Sequence, residues 1–423
     1  MPFRSALSGV NAASQELRII GNNVSNAGTT GFKQSRANFV DVYAASSSGG
    51  GTANSIGAGA RLASVDQIFT QGNVGFTDSK LDLAINGSGF FVMDDNGTKL
   101  YTRAGQFQSD REGFIVNSAD QKLTVNLADE NGAITGAAGP LKLDTSAIAP
   151  KATTLVEIGV NLDSRELPPT TELFDPQRPS SFTHSTSLTI YDSLGAPQLA
   201  SMYYVKTEVP NEWELHTFVN GQHLRGPANP ETGEYTGDKI TFDGVGALKK
   251  INGLDVPPGR LDFSAVDTGT GSNPITMSLD LLGDIPVTQF GGNFTVNAIK
   301  QDGYATGRLA GIDISDTGIV QARFTNGKSK TLGQVALANF ANPNGLRQGG
   351  DSTWVESFDS GPALIGTPGS GSLGLIQAGA LEDSNVHLTG ELVNMITAQR
   401  NFQANAQVIS TADTITQTII NIR

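Results

Sequence analysis

The chain has 423 residues, no cysteine and a formal net charge of −13. Absence of cysteine excludes disulfides, thiolate chemistry and zinc–thiolate sites, and the acidic balance argues against nucleic acid and anionic membranes as partners. The length predicts two to four domains, and no apolar run reaches the roughly 18 residues of a bilayer span, so no membrane insertion is expected. Arg4 is followed by Ser, Gly, Asn and Gln rather than an unbroken apolar core. No cleavable secretory signal is therefore expected, which fits either a cytosolic protein or export by a route that needs none.

Phe3, Leu7, Val10, Leu17, Ile20 and Val24, with Ser14 in the gap, keep an alternating four-three spacing that predicts an N-terminal helix with one apolar side. Gly9 and Gly21 interrupt it at about 1 kcal/mol each relative to Ala, so it needs a packing partner. Asn and Gly crowd the stretch from Asn22 to Gly31, as at a helix end followed by turns. Phe39, Val40, Val42 and Tyr43 form a short apolar patch, and the uncharged Ser/Gly-rich stretch Ala45 to Ala60 is expected to be a flexible connector. From Arg61 the pattern becomes β. Leu81, Leu83 and Ile85 alternate with smaller or polar residues, and turn signals recur at Asp95-Asn96-Gly97, Arg111-Glu112-Gly113 and Glu130-Asn131-Gly132. A second β module follows from about Leu155 to Lys300, and Gly303 to Phe340 returns to the pattern of the first, which is thus read as interrupted.

The last stretch, Glu391 to Arg423, holds neither Gly nor Pro in a chain with 50 Gly and 18 Pro. Leu388, Leu392, Met395, Phe402, Ala406 and Ile409 keep the four-three spacing, with Gln399 in the gap. The seam then moves round by one residue to Ala412, Ile415, Ile419 and Ile422, with Ile420 beside it. At about 1.5 Å per residue this helix is about 50 Å long. Glu391, Arg400, Asp413 and Arg423 are its only charges, too few for a solvated helix. An amphipathic helix docked on its own domain is the plain reading; a helix made to be surrounded by other helices fits the charge count better.

Ala6-Leu7-Ser8-Gly9-Val10, then Gly21-Asn22-Asn23-Val24-Ser25-Asn26, then Thr30-Gly31-Phe32-Lys33 resemble the N-terminal signature of the axial proteins of the bacterial flagellum, the rod and hook family. Leu81 to Phe91 and Tyr101 to Phe107, with Asp110, Gly113 and Asn117, resemble its next segments. Leu381 to Val386, Glu391-Leu392-Val393 and Gln399 to Asn405 resemble its C-terminal motif, with His387 where an acidic residue is expected. These blocks cover about half the chain. The large second module, with Tyr191 to Ala196 and Trp213, is similar to the insertion of the family's hook members and is absent from the shorter rod members. Asn22, Asn23, Asn26, Gly31, Phe32 and Lys33 are the motif positions so carried over.

Enzymatic readings are weaker. Gly369-Ser370-Gly371-Ser372-Leu373-Gly374 spells a dinucleotide fingerprint, but Gly379 stands where its helix should run, so it is read as a loop. His184, His216, His223 and His387 lack metal-ligand spacing and are read as strand or surface residues. Asp94 to Gly97 reads as a hairpin turn rather than a calcium loop, and Glu212 and Glu214 flank Trp213 on a strand as a solvated face. No enzyme, cofactor or metal is expected.

The fold class expected is mainly β, with two sandwich- or barrel-like domains in series and long terminal helices that pair as a coiled coil. The expected domains are 1–25 with 385–423 (helical, inner tube), 26–70 (connector), 71–150 with 303–384 (first β), and 151–302 (inserted, outer β). Leu7, Val10, Leu17, Ile20, Val24, Leu392, Met395, Phe402, Ile409, Ile415 and Ile419 are the expected polymerisation and helix seam. Copies of the chain itself are the main expected partner. The resemblance implies a subunit of the extracellular hook, a flexible curved tube coupling rod to filament and transmitting motor torque. It further implies distal rod, hook-cap and hook–filament junction proteins and the flagellar type III export apparatus as partners. The alternatives are a distal-rod or junction protein of the same family, or a β-rich carbohydrate-binding surface protein.

Overall fold

The computed structural model describes residues 2–42, 57, 59–129, 131–144, 146–170, 173–267 and 269–421. Most of the expected flexible connector, Glu130 of one expected turn, and Ile422 and Arg423 at the end of the C-terminal seam lie outside them. The chain divides into two compact units. One holds Met1–Thr145, Ala310–Arg323 and Ser329–Arg423, and the other Ser146–Leu309 and Phe324–Lys328.

In the first unit, helix α1 (Pro2–Ser25) packs against helix α2 (Leu388–Asn421). The pair is antiparallel. Asn23, near the end of α1, bonds Glu391 in the first turn of α2, while Phe3 lies beside Val408 and Ile415. Ala6, Ala13, Ile20 and Asn23 are the buried residues of α1 among the described ones, with Val10, Leu17 and Val24 half-buried beside them. On α2 the buried positions are Glu391 and Ala398, with Met395, Asn405, Ile409 and Ala412 half-buried. The contact keeps Met395, Ile409 and Ala412 of the seam expected on α2 but takes Glu391, Ala398 and Asn405 in place of their neighbours Leu392, Gln399 and Ala406. Gly9 marks the closest approach, since a Cβ there would stand 2.4 Å from Asn405 Oδ1. Gly21 has open space around it and no such reason.

After α1, strands Ser35–Asp41 and Ala60–Gln67 pair antiparallel, so the ends of the expected connector form a β ribbon. The β body follows. Its sheet runs in the order Leu309–Ile314, Ile319–Phe324, Ser329–Val335, Lys122–Ala128, Phe90–Asp95, Thr98–Thr102, Thr353–Val355, Arg347–Gly350. Lys122–Ala128 pairs with both Phe90–Asp95 and Ser329–Val335, joining the segments before and after the insertion in one sheet. Successive side chains of Phe90–Asp95 point to opposite faces, and both faces are covered. Phe91 and Met93 join a core with Leu123, Val125 and Val335, while Phe90 and Val92 join Tyr101, Phe340 and Trp354. Asn96 (φ 51°) and Gly97 (φ 94°) make the two-residue turn to Thr98–Thr102 that an Asn-Gly pair favours.

The second unit is a sandwich of a seven-stranded and a five-stranded sheet. Val156, Ile158, Val160 and Leu162 of Leu155–Asp163 share one core with Tyr204, Trp213, Leu215 and Ile240. Its two chain ends are bridged side by side at Ile148–Gly307 and Lys151–Tyr304.

Candidate assembly site: the helix pair and its joint with the β body

Many of the large apolar residues stay outside the intramolecular helix contact. On α2, Leu388, Leu392, Val393, Ile396, Val408, Ile415, Ile419 and Ile420 are exposed, Ile419 to 64 %. Phe402 is 37 % exposed, and on α1 so are Phe3 and Leu7, to 50 % and 43 %. The exposed charges of α2 within the described residues are Arg400 and Asp413 alone, because Glu391 is buried. The 34 residues of α2 also outrun the 24 of α1, leaving Ile419 and Ile420 beyond its start. Where Phe3 meets Val408, Thr411 and Ile415, an apolar groove of about 550 Å³ opens between the helices. A free helix surface this apolar and this poor in charge is unstable in water unless covered. Of the expected seam, Val10, Leu17, Ile20, Val24, Met395 and Ile409 contribute to the helix pair, while Leu7, Leu392, Phe402, Ile415 and Ile419 face outward.

The motif residues after α1 build the joint that fixes this pair to the β body. Asn23 Nδ2 donates to Glu391 Oε2 at 3.1 Å and to the Ser35 carbonyl at 2.8 Å, and its Oδ1 accepts the Ser35 N–H at 2.9 Å. Gln34 Nε2 donates to Glu391 Oε1 at 2.8 Å. The Glu391 carboxylate also sits in the first turn of α2, where the helix dipole favours negative charge. Gly31 has φ +69°, and a Cβ there would lie 2.4 Å from the Ala104 backbone N, so only glycine fits the turn. Its N–H donates to the Glu382 carbonyl at 2.8 Å. Asn26 Nδ2 donates to the Asn22 carbonyl at 2.9 Å, and the Phe32 N–H donates to the Thr29 carbonyl, closing the turns between helix and ribbon.

Lys33 is fully buried. Its Nζ donates to Glu382 Oε1 at 2.5 Å and to the Thr70 carbonyl at 2.8 Å. Arg103 Nη1 donates to Glu382 Oε2 at 3.1 Å, and Nη2 donates to the Gly87 carbonyl at 2.7 Å. The Gly72 N–H completes the carboxylate's shell at 2.9 Å. Burial holds the Lys33 and Arg103 pKa values below their ordinary ones, against the opposing pull of Glu382. Asn385, just before α2, accepts the Gln34 N–H at 2.8 Å and donates to the Ile68 carbonyl at 2.7 Å. Sequence reading found Asn23 and Lys33 through the motif but not their partners Arg103, Glu382, Asn385 and Glu391 as a group. Those four lie within the quoted motif blocks, and nothing in their spacing shows that they converge.

The enzymatic candidates resolve into structure. Residues 369–374 form turns between strands Leu364–Gly366 and Leu375–Ala378, with no helix following. Trp213 is buried, and Glu214 beside it is partly buried with a raised pKa, caused first by burial, while it accepts the Gly237 N–H. This corrects the reading of a solvated face. His216 stacks on Phe174 at 3.9 Å inside the second unit. Among the described residues no cluster of His, Cys, Asp and Glu could hold a metal ion, and no helix is long and apolar enough to cross a membrane.

A helix pair with its large apolar residues turned outward, locked to a β body by buried charges, defines a structural subunit that is completed by neighbours. Four family profiles match along the chain: flagella basal body rod protein at residues 3–33, flagellar hook protein FlgE/F/G D1 domain at 84–160, flagellar basal body protein FlaE D2 domain at 161–304, and flagellar basal body rod FlgEFG protein C-terminal at 377–422. The flagellar hook protein FlgE of Escherichia coli K12 is 37% identical over 427 residues, covering 100% of both chains. That of Salmonella typhimurium is 36% identical with the same coverage, and that of Borreliella burgdorferi is 31% identical over 99% of this chain and 98% of its own. The crystal structure of Helicobacter pylori flagellar hook protein FlgE2 shares the fold, with a TM-score of 0.52 and 14% identity over 74% of this chain and 100% of that one. The chain belongs to the flagellar hook protein family. It is a structural subunit of the hook, the extracellular part of the flagellum attached to the basal body.

Proposed function

We propose that the chain polymerises through the outward faces of its paired terminal helices into the wall of the hook tube, and that it catalyses no reaction. The observation that carries this is the outward apolar surface of α2, broken by only two exposed charges. The domain map read from the sequence belongs to the same proposal. Residues 1–25 and 385–423 line the tube, 71–150 with 303–384 surround them, and 151–302 form an outer layer whose sliding accommodates bending while the inner layer holds. Gln399, Gln403 and Gln407 are exposed and uncharged, which suits a surface past which exported chains move. Distal rod, hook-cap and hook–filament junction proteins, with the type III export apparatus, are the partners this role requires. Electron microscopy of the purified chain under polymerising conditions tests the reading. Tubes from the parent chain and none from Ile415→Asp are expected, whereas normal tubes from that variant would show that the outward seam is not an interface.

A further inference from the structure

We infer that Lys33, Arg103 and Glu382 form a positioning device for assembly, fixing the angle at which both terminal helices leave the β body. This rests on the assembly reading above. Three separate stretches of chain supply the charges: the strap after α1, the edge of the β body, and the strap before α2. All three side chains are within 5 % of complete burial. A buried ion cluster is a poor way to gain stability, because desolvation offsets most of the attraction. Its geometric specificity is high. Glu382 accepts from Lys33, Arg103 and Gly72 through its side chain, and from Gly31 through its carbonyl. Lys33 and Asn385 both donate to the Thr70 carbonyl, and Arg103 reaches the Gly87 carbonyl. Thus the chain leaving α1 and the chain entering α2 are held on one carboxylate. Asn23, Gln34 and Glu391 repeat the arrangement one step nearer the helices. In a polymer of identical subunits each departure in that angle recurs at every contact, so a small local change accumulates along the tube.

Two variants test this. Lys33→Met combined with Glu382→Gln removes one charge of each sign and leaves the Thr70 carbonyl its bond from Asn385. Lys33→Arg keeps the charge and changes its geometry. Folding is followed by the thermal melt of the β body, and tube geometry by the helical twist and rise from electron microscopy. Expected is a β body that stays folded at the assembly temperature, with a lowered melt in the double variant because Arg103 loses its carboxylate partner, together with an altered twist, or loss of tubes, in both variants. Tubes with the parent's twist and rise from either folded variant overturn the inference, and Lys33→Arg decides if the double variant does not fold. Absence of tubes from the parent chain would instead overturn the assembly reading and this inference with it.

Discussion

Glu382 shows what a single buried charge demands. Replacing it with Ala leaves two buried cations facing only carbonyl oxygens, and removing one partner from such a group costs about 3–5 kcal/mol. A clear fall in the melting temperature of the β body is expected for Glu382→Ala, where a melt like the parent's would show that water reaches the site. Ile415 is the contrasting case. It is 55 % exposed, so Ile415→Asp should leave monomer stability within about 0.5 kcal/mol by denaturant titration while abolishing assembly. His216 contributes to the acid response of the second unit, alongside His184 and His223, whose pKa values burial also lowers. Both ring nitrogens of His216 lack a hydrogen-bond partner, Glu214 Oε1 stands 3.7 Å from Nε2, and burial, with His223 adding to it, lowers its pKa to about 3. Because the folded pKa lies below the unfolded one of about 6.5, the unfolded state binds the proton more readily. The stability it permits is complete above about pH 6.5 and falls below it, by up to about 1.4 kcal/mol per pH unit towards pH 3. Denaturant midpoints of residues 146–309 at pH 7.5 and 5 should differ accordingly, and the difference should shrink in His216→Phe.

Two helices that bury mostly small residues against each other form a thin element. Ala6, Gly9, Ala13 and Ala398 allow close approach but remove little apolar area from water, and many of the larger residues of α2, with Phe3 and Leu7 of α1, stay exposed. Helical stability in proteins comes mainly from packing an apolar face, so α2 beyond Ala412 is expected to gain protection on assembly. Amide exchange at Ile419 should be fast in dilute monomer and slow in the tube. Slow exchange in the monomer would mean that the helix holds without neighbours.

At the scale of the whole molecule, each compact unit has a core of its own. The twenty-odd buried residues around Trp213 and Tyr204 belong to the second unit, and those around Phe91 and Val335 to the first. The insertion's ends lie side by side at Lys151–Tyr304, which is the geometry that tolerates removal of a domain. Deleting residues 151–302 with a short linker should leave a soluble first unit with its own melt, and the intact chain should show two separable transitions. A single transition together with an insoluble truncation would mean that the two share a core.

Sequence periodicity alone determined the two terminal helices, because a four-three apolar spacing can be satisfied only by a helix face. Asn96-Gly97 likewise fixed its hairpin, since few residues other than Asn and Gly accept two successive positive φ angles. The scarcity of charge in α2 marked it as a helix expected to be covered by others, the reading that the assembly proposal takes up. Tertiary structure alone decided which face of α2 meets α1. Spacing marks apolar positions without saying which neighbour covers them, and the small residues that made the contact carry almost no hydropathy signal. It alone assembled Lys33, Arg103 and Glu382, which stand 70 and 279 residues apart along the chain. No local pattern records a meeting at that separation; it exists because the β body brings its own edge between the two straps that lead to the helices.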